Sequence, residues 1–229
     1  MSRNTKLILA LDVDSFFKAK HFVDLLYPKI KIFKVGLQLF TASGAKIIEY
    51  IKGKGGKVFL DLKFFDIPNT VANAAKEVVR MKAVSMFTVH TQGGLEMMRK
   101  AQEAVREEAS KSGIKPPLII GVTILTSAVN KSNILPSVLK LANLAKQAGL
   151  QGVVCSVKEA KSIRKRFGKD FVIVNPGIRL PQDEMADQQR VATPREAKQA
   201  GSNYLVVGRP ILGATDPLLA TEAMMKNLR

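Results

Sequence analysis

The most constraining feature of this sequence is a set of eight short apolar runs, each bounded by turn-forming residues. Their starts lie 19 to 34 residues apart, which leaves room for one strand, one helix and two loops per repeat. The segments between the runs have the apolar spacing of amphipathic helices, as in Ser15–Tyr27 and Asn69–Lys82. The predicted strands are Leu7–Asp12, Ile32–Gly36, Val58–Lys63, Met86–His90, Leu118–Thr123, Gly152–Ser156, Phe171–Val174 and Tyr204–Val207.

Strands that alternate with helices predict a parallel sheet, and eight such units in 229 residues predict a (β/α)8 TIM barrel. We expect one catalytic domain over residues 1–229. A doubly wound open sheet is the alternative, but it favours a Gly-rich turn after the first strand, where this chain has Asp12-Val13-Asp14-Ser15. In a barrel the chemistry lies at the C-terminal ends of the strands, so polar residues there are candidates for function.

The composition points to an anionic partner without locating it. The chain has 36 Lys and Arg against 19 Asp and Glu, a net charge of +17, and the excess is similar in both halves. Nucleic-acid binding is a rival function from another class, motivated by this charge and by the basic run Lys161–Lys169. A charge run on a helix is usually a solvated face, so we expect no specific nucleic-acid partner.

The cysteine content and the hydropathy of the sequence indicate the cellular compartment of the protein. Cys155 is the only cysteine, so no intrachain disulfide can form, which suits a reducing compartment. The longest stretch without charge, Pro116–Asn130, is 15 residues and is too short to span a membrane. We expect a cytoplasmic protein with no membrane partner.

Charged residues concentrate in the third predicted strand. Asp61 and Lys63 are two residues apart, so on a strand both side chains point to one face, with the apolar Leu60 and Leu62 on the other. Because the apolar face packs against the helices, the charged face should point into the barrel mouth. Lys63 is expected to be neutralised by Asp61, with Asp66 as a further candidate. A purely structural ion-pair network at the rim is the alternative.

Two later strands end in loops suited to phosphate. The seventh leads into Asn175-Pro176-Gly177-Ile178-Arg179 and the eighth into Gly208-Arg209-Pro210. Phosphate sites in these barrels use the loops after strands 7 and 8, where glycine lets backbone N–H groups approach and arginine donates bidentate hydrogen bonds. We therefore expect a small phosphorylated substrate.

The motifs together resemble the orotidine 5′-phosphate decarboxylase family from the first strand to the last. The most specific one is Asp61-Leu-Lys63-Phe-Phe-Asp66-Ile-Pro-Asn-Thr70. Weaker ones follow in the right order: Leu-Asp12, Phe-Lys34-Val-Gly, Pro-Gly-Ile-Arg179, Asp187-Gln188 and Val-Gly208-Arg209-Pro. The resemblance implies decarboxylation of orotidine 5′-phosphate to UMP and CO2, the last step of de novo UMP biosynthesis, without metal or other cofactor.

The resemblance also implies roles. Lys63 matches the proton donor, Asp61 faces the scissile carboxylate, Lys34 completes the charge network, and Asp66 enters from the partner subunit of a homodimer. The implied catalytic residues are thus Lys63, Asp61, Asp66 and Lys34. The implied substrate contacts are Asp12, Lys34, Asp61, Ile67, Thr70, Thr123, Ser127, Pro176, Arg179, Gln188, Gly208 and Arg209. The segment from Leu180 to Gln188 is the predicted mobile lid.

The nearest enzyme rival shares the Asp-x-Lys-x-x-Asp pattern. It is the group of sugar-phosphate aldolases and decarboxylases similar to hexulose-phosphate synthase, which need magnesium held partly by an acidic residue after the second strand. This chain has Lys34 there, and a cation at a cation site argues against the metal. Two departures from the decarboxylase pattern are Asn175 in place of Thr and Phe65 in place of a frequent His.

Overall fold

The structure is a computed structural model that describes residues 5–125, 134–180 and 191–228. Eight parallel strands pair in sequence order and close into a barrel, with the first strand also paired to the last. They are β1 Lys6–Ala10, β2 Ile32–Gly36, β3 Lys57–Phe64, β4 Val84–His90, β5 Leu118–Val122, β6 Gly152–Val154, β7 Val172–Asn175 and β8 Tyr204–Val207. The predicted barrel is confirmed and the open sheet is excluded.

Helices lie between successive strands of the barrel and after the last strand. They are α1 Phe16–Leu26, α2 Leu37–Ser43, α3 Lys46–Gly53, α4 Pro68–Arg80, α5 Gly94–Lys111, α6 Leu135–Gln147, α7 Val157–Phe167, α8 Pro194–Gln199, α9 Arg209–Leu212 and α10 Pro217–Asn227. Ser15 caps α1 by accepting a hydrogen bond from the Lys18 N–H, and Pro68 begins α4. No helix in the described ranges is long and apolar enough to cross a membrane.

Three predicted strands end earlier than the sequence suggested, and β5 does so by one residue, at Val122. β6 stops at Val154 because Ser156 starts α7 instead: its side chain and that of Glu159 form a reciprocal capping box. β1 stops at Ala10, although the Leu11 N–H still donates to the Lys34 carbonyl at 3.0 Å. Asp12 therefore lies just beyond the strand, on the loop that opens onto the barrel mouth.

The core has two layers, as the two faces of each strand require. The larger one lies between the strands and the helices and includes Leu60, with Leu62 packed against it. The smaller one fills the barrel interior with inward-pointing side chains: Ile8, Ala10, Ile32, Phe59, Met86, Ile120, Val174 and Val206. This apolar plug closes the barrel below its C-terminal end, so a cavity can open only above it.

Candidate active site

A cavity of about 430 Å³ lies at the C-terminal end of the barrel. Its floor is apolar and includes Phe59, Val174 and Val206 from the inner core. The charged side chains that line its described part are Asp12, Lys34, Asp61, Lys63, Arg179 and Arg209. All six were predicted from the sequence, and the fold brings them to one site.

Four of these residues form a row of alternating charge across three adjacent strands. Lys34 Nζ lies 2.8 Å from Asp12 Oδ1 and 3.8 Å from Asp61 Oδ2. Lys63 Nζ lies 2.9 Å from the same Asp61 oxygen. The Asp61 carboxylate is therefore shared by two ammonium groups, which confirms that Asp61 and Lys63 point to one face and neutralise each other.

Burial differs along the row. The side chains of Lys34 and Asp61 are 11% and 14% exposed, whereas Lys63 is 32% and Asp12 is 56% exposed. The two inner groups are thus largely removed from water, where an unpaired charge would be very costly. The outer two keep access to the cavity, so the row can meet a ligand while its centre remains fixed.

Gly36 makes room for the Lys34 ammonium. A Cβ built on Gly36 would lie 2.9 Å from Lys34 Nζ, closer than side-chain atoms tolerate. In the β2–β3 pairing Gly36 stands opposite Asp61, so the missing side chain leaves a gap beside the carboxylate. The Lys34 ammonium occupies this gap between two acidic groups, Asp12 and Asp61.

Lys63 has an unusual backbone. Its φ is +53°, a left-handed conformation that costs a non-glycine residue about 1–3 kcal/mol. The register between β3 and β4 shifts at this point: Leu60 pairs with Phe87, and the next pair is Phe64 with Val89. Three residues of β3 therefore stand against one of β4, which is a bulge of the kind found beside active sites.

The part of the cavity wall next to Asp12 carries the predicted phosphate loops, because β8 pairs with β1. Pro176, Gly177 and Arg179 after β7 and Gly208 and Arg209 after β8 all line it. Gly177 has a φ of +76°, which favours glycine at this turn. The loop is tied down where the Arg179 N–H donates to the Ala192 carbonyl at 3.0 Å. Arg179 is buried and Arg209 is exposed, so one side chain lies within the cavity wall and the other lies at its mouth.

Three of the predicted residues lie on the surface, outside the cavity of their own chain. Asp66, Ile67 and Thr70 are exposed, and Ile67 is 67% exposed. The Asp66 carboxylate accepts a hydrogen bond from the Ile67 N–H at 2.6 Å, and within the described residues no ion pair joins it to Lys63. The suggested neutralisation of Lys63 by Asp66 is therefore absent within one chain, because the bulge directs Lys63 inward while Asp66 lies on the outer loop.

The remaining predicted contacts fall in two groups. Thr123 is fully buried, and its hydroxyl donates to the Val154 carbonyl at 2.8 Å instead of facing the cavity. Its neighbours Val122 and Ile124 line the cavity, so a contact through the Thr123 side chain stays a prediction without geometric support. Ser127 and Gln188 lie outside the described residues, as does the predicted lid after Leu180.

His90 ends β4 close to the charged row. Burial and the Lys63 ammonium lower the pKa of His90 below its usual 6.5. Its Nδ1 accepts a hydrogen bond from the Gln92 N–H at 3.4 Å, and its ring lies 5.6 Å from that of Phe65. These contacts agree with a structural hydrogen-bonding role. In the described chain, no group of three or more His, Cys, Asp or Glu is arranged to hold a metal ion.

Three residues of the site were missed at the level of sequence. Thr88 lies inside the barrel and touches both Asp61 and Lys63. Asn175, noted only as a departure, is fully buried, and its Nδ2 donates to the Cys155 carbonyl at 2.7 Å. Cys155 lies just beyond β6 and lines the cavity wall. The sequence did carry a signal for Thr88: it lies between Met86 and His90 on the inward face of β4, where a polar residue needs a reason.

Known proteins match this chain over nearly its whole length. A family model described as orotidine 5′-phosphate decarboxylase / HUMPS family matches residues 5–224. The chain belongs to this family. It is 49% identical to the orotidine 5′-phosphate decarboxylase of Syntrophotalea carbinolica over 97% of this chain and 94% of that protein. The corresponding protein of Moorella thermoacetica is 45% identical over 98% and 92%.

Solved structures of orotidine 5′-phosphate decarboxylases also resemble this member of the family. The crystal structure of orotidine 5′-phosphate decarboxylase from Lactobacillus acidophilus superimposes with a TM-score of 0.84 at 36% identity, covering 98% of this chain and 99% of that one. The family match spans all eight strands, so the charged row and the arginine loops lie within the shared barrel.

Proposed function

We propose that this protein decarboxylates orotidine 5′-phosphate to UMP and CO2 and that its own side chains suffice for the reaction. The observation that carries the proposal is that the row Asp12–Lys34–Asp61–Lys63 lines the same cavity as Arg179 and Arg209. Relatives with 45–49% identity are named orotidine 5′-phosphate decarboxylase, which supports this substrate over the sugar phosphates of the wider family.

The substrate has two anionic ends that match the two sides of the cavity. Arg179 and Arg209 would hold the phosphate, with backbone N–H groups near Gly177 and Gly208. Asp12 and Lys34 would then hold the ribose hydroxyls. This pose puts the pyrimidine ring over the apolar floor and its C6 carboxylate beside Asp61 and Lys63.

The chemical step needs a fixed cation and a proton. When the C6–carboxylate bond breaks, its electron pair stays on C6, where no adjacent carbonyl can delocalise it. The Lys63 ammonium stabilises this developing charge and transfers a proton to C6, and the resulting neutral amine regains a proton from water. Asp61 lies 2.9 Å from Lys63 Nζ, so this ion pair holds the Lys63 side chain in place before the reaction begins.

The chemistry of the donor set supports a reaction without a metal. A divalent ion in this barrel end would need a pocket of oxygen ligands. Here the Lys34 ammonium contacts Asp12 and approaches Asp61, so the carboxylates that could bind a metal already have a cation between them. This arrangement disfavours the magnesium-dependent aldolases and decarboxylases similar to hexulose-phosphate synthase.

The proposal includes a homodimer that shares its active sites. Asp66, Ile67 and Thr70 match partner contacts of the family and are exposed here. Exposed apolar side chains occur at the same barrel end, on the segments that follow β2, β3 and β5: Leu37, Phe65, Ile67 and Leu125. Such side chains are costly to leave in water, and a second copy of the chain would cover them while carrying Asp66 to the neighbouring Lys63.

Turnover of orotidine 5′-phosphate tests the proposal directly. The loss of its ultraviolet absorbance is followed with a chelator present, and UMP is identified as the product. We expect full activity in the chelator and a loss of at least about a thousandfold in Lys63→Ala, with the thermal unfolding transition retained. Lys52→Ala is the control, because it removes a lysine from an exposed pair with Glu49 on α3. No wild-type turnover, or turnover that the chelator abolishes, would contradict the proposal.

A further inference from the structure

The hydroxyl of Thr88 joins the two central groups of the proposed active site. It donates a hydrogen bond to Asp61 Oδ1 at 3.0 Å and accepts one from the Lys63 backbone N–H at 2.9 Å. A hydroxyl has a single proton, and here that proton goes to the carboxylate while a lone pair takes the amide. Thr88 thus contacts both residues without contacting the cavity.

Thr88 stands opposite the β3 bulge. The register shift places residues 61–63 against this one residue of β4, so the Lys63 N–H has no strand carbonyl to donate to. A buried backbone N–H needs a partner, and the Thr88 hydroxyl supplies it. The hydrogen bond therefore holds Lys63 at its positive φ, the conformation that turns the side chain toward Asp61.

The same hydroxyl fixes the plane of the Asp61 carboxylate. With Oδ1 held by Thr88, Oδ2 faces Lys63 Nζ at 2.9 Å and Lys34 Nζ at 3.8 Å. Rotation of the carboxylate would break the Thr88 contact and the ammonium contacts together. Thr88 is itself fully buried and β-branched, so its side chain has little freedom to follow such a rotation.

We propose that Thr88 is a positioning residue, whose hydroxyl holds the Asp61 carboxylate and the Lys63 backbone in their reactive arrangement. The inference rests on the proposed decarboxylase function and deepens it. Misplacement of a reacting group by about 1 Å can cost on the order of a hundredfold in rate. Loss of the hydroxyl should therefore lower the rate of the chemical step and leave ribose and phosphate binding in place.

Thr88→Val tests this, because valine keeps the shape and removes both hydrogen bonds. We expect kcat to fall by about a hundredfold, with KM and the inhibition constant of UMP within about threefold of wild type. Thr88→Ser, which keeps the hydroxyl, should restore kcat to within about fivefold.

Thr91→Val is the matched control. Thr91 is also fully buried, and its hydroxyl donates to the Val122 carbonyl at 2.7 Å, away from the charged row. Its substitution should lower the melting temperature to a similar extent and leave kcat unchanged. Equal loss of kcat in the two valine variants, or a Thr88→Val enzyme with wild-type kcat, would overturn the positioning role.

A second pair of variants tests the positioning role in the event that the Thr88→Val chain does not fold. Thr88→Ser and Thr88→Cys give side chains of similar shape, with oxygen in one and sulfur, a much weaker hydrogen-bonding atom, in the other. The role requires the cysteine variant to have the lower kcat by at least about tenfold, and equal rates would refute it. Wild-type enzyme in the same assay separates the two proposals: no turnover there overturns the decarboxylase function, whereas wild-type turnover with an indifferent Thr88 overturns only the positioning role.

Discussion

The Asn175 amide group donates a hydrogen bond to the Cys155 carbonyl oxygen at 2.7 Å, which ties the end of β7 to the end of β6. On its other side, Asn175 Oδ1 accepts from the Ser202 hydroxyl at 2.5 Å. Asn175 is fully buried and directly precedes the Pro176–Arg179 loop, so this pair of bonds fixes where the loop leaves the barrel.

Substitution of Asn175 should therefore be costly. Asn175→Ala leaves a buried carbonyl and hydroxyl with one partner fewer, and we expect it to lower the free energy of unfolding by about 1–3 kcal/mol. Asn175→Asp should be worse, because it puts a carboxylate against the Cys155 carbonyl in a dry site. Denaturant unfolding of the three proteins measures both changes. An Asp variant as stable as wild type would show that the amide donor is not needed.

Lys34 should be essential for activity. Lys34→Met keeps the volume and removes the ammonium between Asp12 and Asp61, so the acidic groups lose their shared counter-charge. We expect kcat/KM for orotidine 5′-phosphate to fall by at least about a hundredfold, the usual loss when one electrostatic partner is removed from an active site. Lys52→Met, at an exposed pair on α3, should keep wild-type kinetics. Equal behaviour of the two variants would disprove a special role for Lys34.

Arg209 should bind the phosphate of the substrate and not its pyrimidine ring. We expect Arg209→Ala to lower kcat/KM for orotidine 5′-phosphate by about a hundredfold or more, since a charge-assisted bidentate contact is lost. Activity on orotidine, which lacks the phosphate, should change by less than about threefold. Arg166→Ala removes the same charge from an exposed position on α7 and controls for the net charge of the protein. A proportional loss for both substrates would argue against a phosphate contact.

The titration of His90 should report on Lys63. Nuclear magnetic resonance of a His21→Gln protein follows His90 alone, and we expect its pKa to lie below 6.5. In Lys63→Met the pKa should rise toward 6.5, because one of the two causes of the shift is removed. A pKa of 6.5 or above in the parent protein would contradict this.

The same shift has a consequence for stability. Between the folded and unfolded pKa of His90, the unfolded chain binds more protons, so the free energy of unfolding falls as the pH drops below about 6.5. His90→Gln should flatten this dependence. Urea unfolding at several pH values between about 5 and 7, compared with wild type, measures the difference.

Mixed dimers test whether Asp66 serves the neighbouring subunit. Lys63→Ala and Asp66→Ala chains should each be inactive alone. Co-refolded together, the heterodimer has one site with both residues intact, and we expect about a quarter of wild-type activity for random pairing. Differently tagged chains confirm that mixed dimers form. Such dimers without recovered activity would refute a shared site.

Much of the fold was predictable because apolar residues recur in the sequence with the spacing of strands and helices. The bounds of β2 and β8 agree with the sequence prediction, since β2 ends at Gly36 and β8 ends just before Gly208. The split of the segment after β2 into α2 and α3 was not foreseen; it occurs at Gly44, which has a φ of +55°. The early end of β6 had a signal in the sequence, the Ser156–Glu159 capping pair, which the apolar run obscured.

The charged residues of the site were predictable from the sequence, whereas its uncharged polar residues were not. Asp12, Lys34, Asp61 and Lys63 stand at strand ends, where a partly buried charge is costly unless it meets a counter-charge or a ligand. Thr88 and Asn175 were missed because threonine and asparagine occur in many strands without function. Their importance comes from the bulge and from cross-strand contacts, which depend on the register between strands and not on the sequence of either one.

Net charge is distributed unevenly around the barrel mouth. Asp12, Lys34, Asp61 and Lys63 sum to zero charge, whereas Arg179 and Arg209, after β7 and β8, sum to two positive charges. A ligand with a dianion at one end and a monoanion at the other is thus aligned before it makes contact, with the dianion toward the arginines. Salt weakens this long-range alignment but barely affects the short ion pairs inside the row. Rising ionic strength should therefore slow the arrival of the substrate while the bond-breaking step keeps its rate.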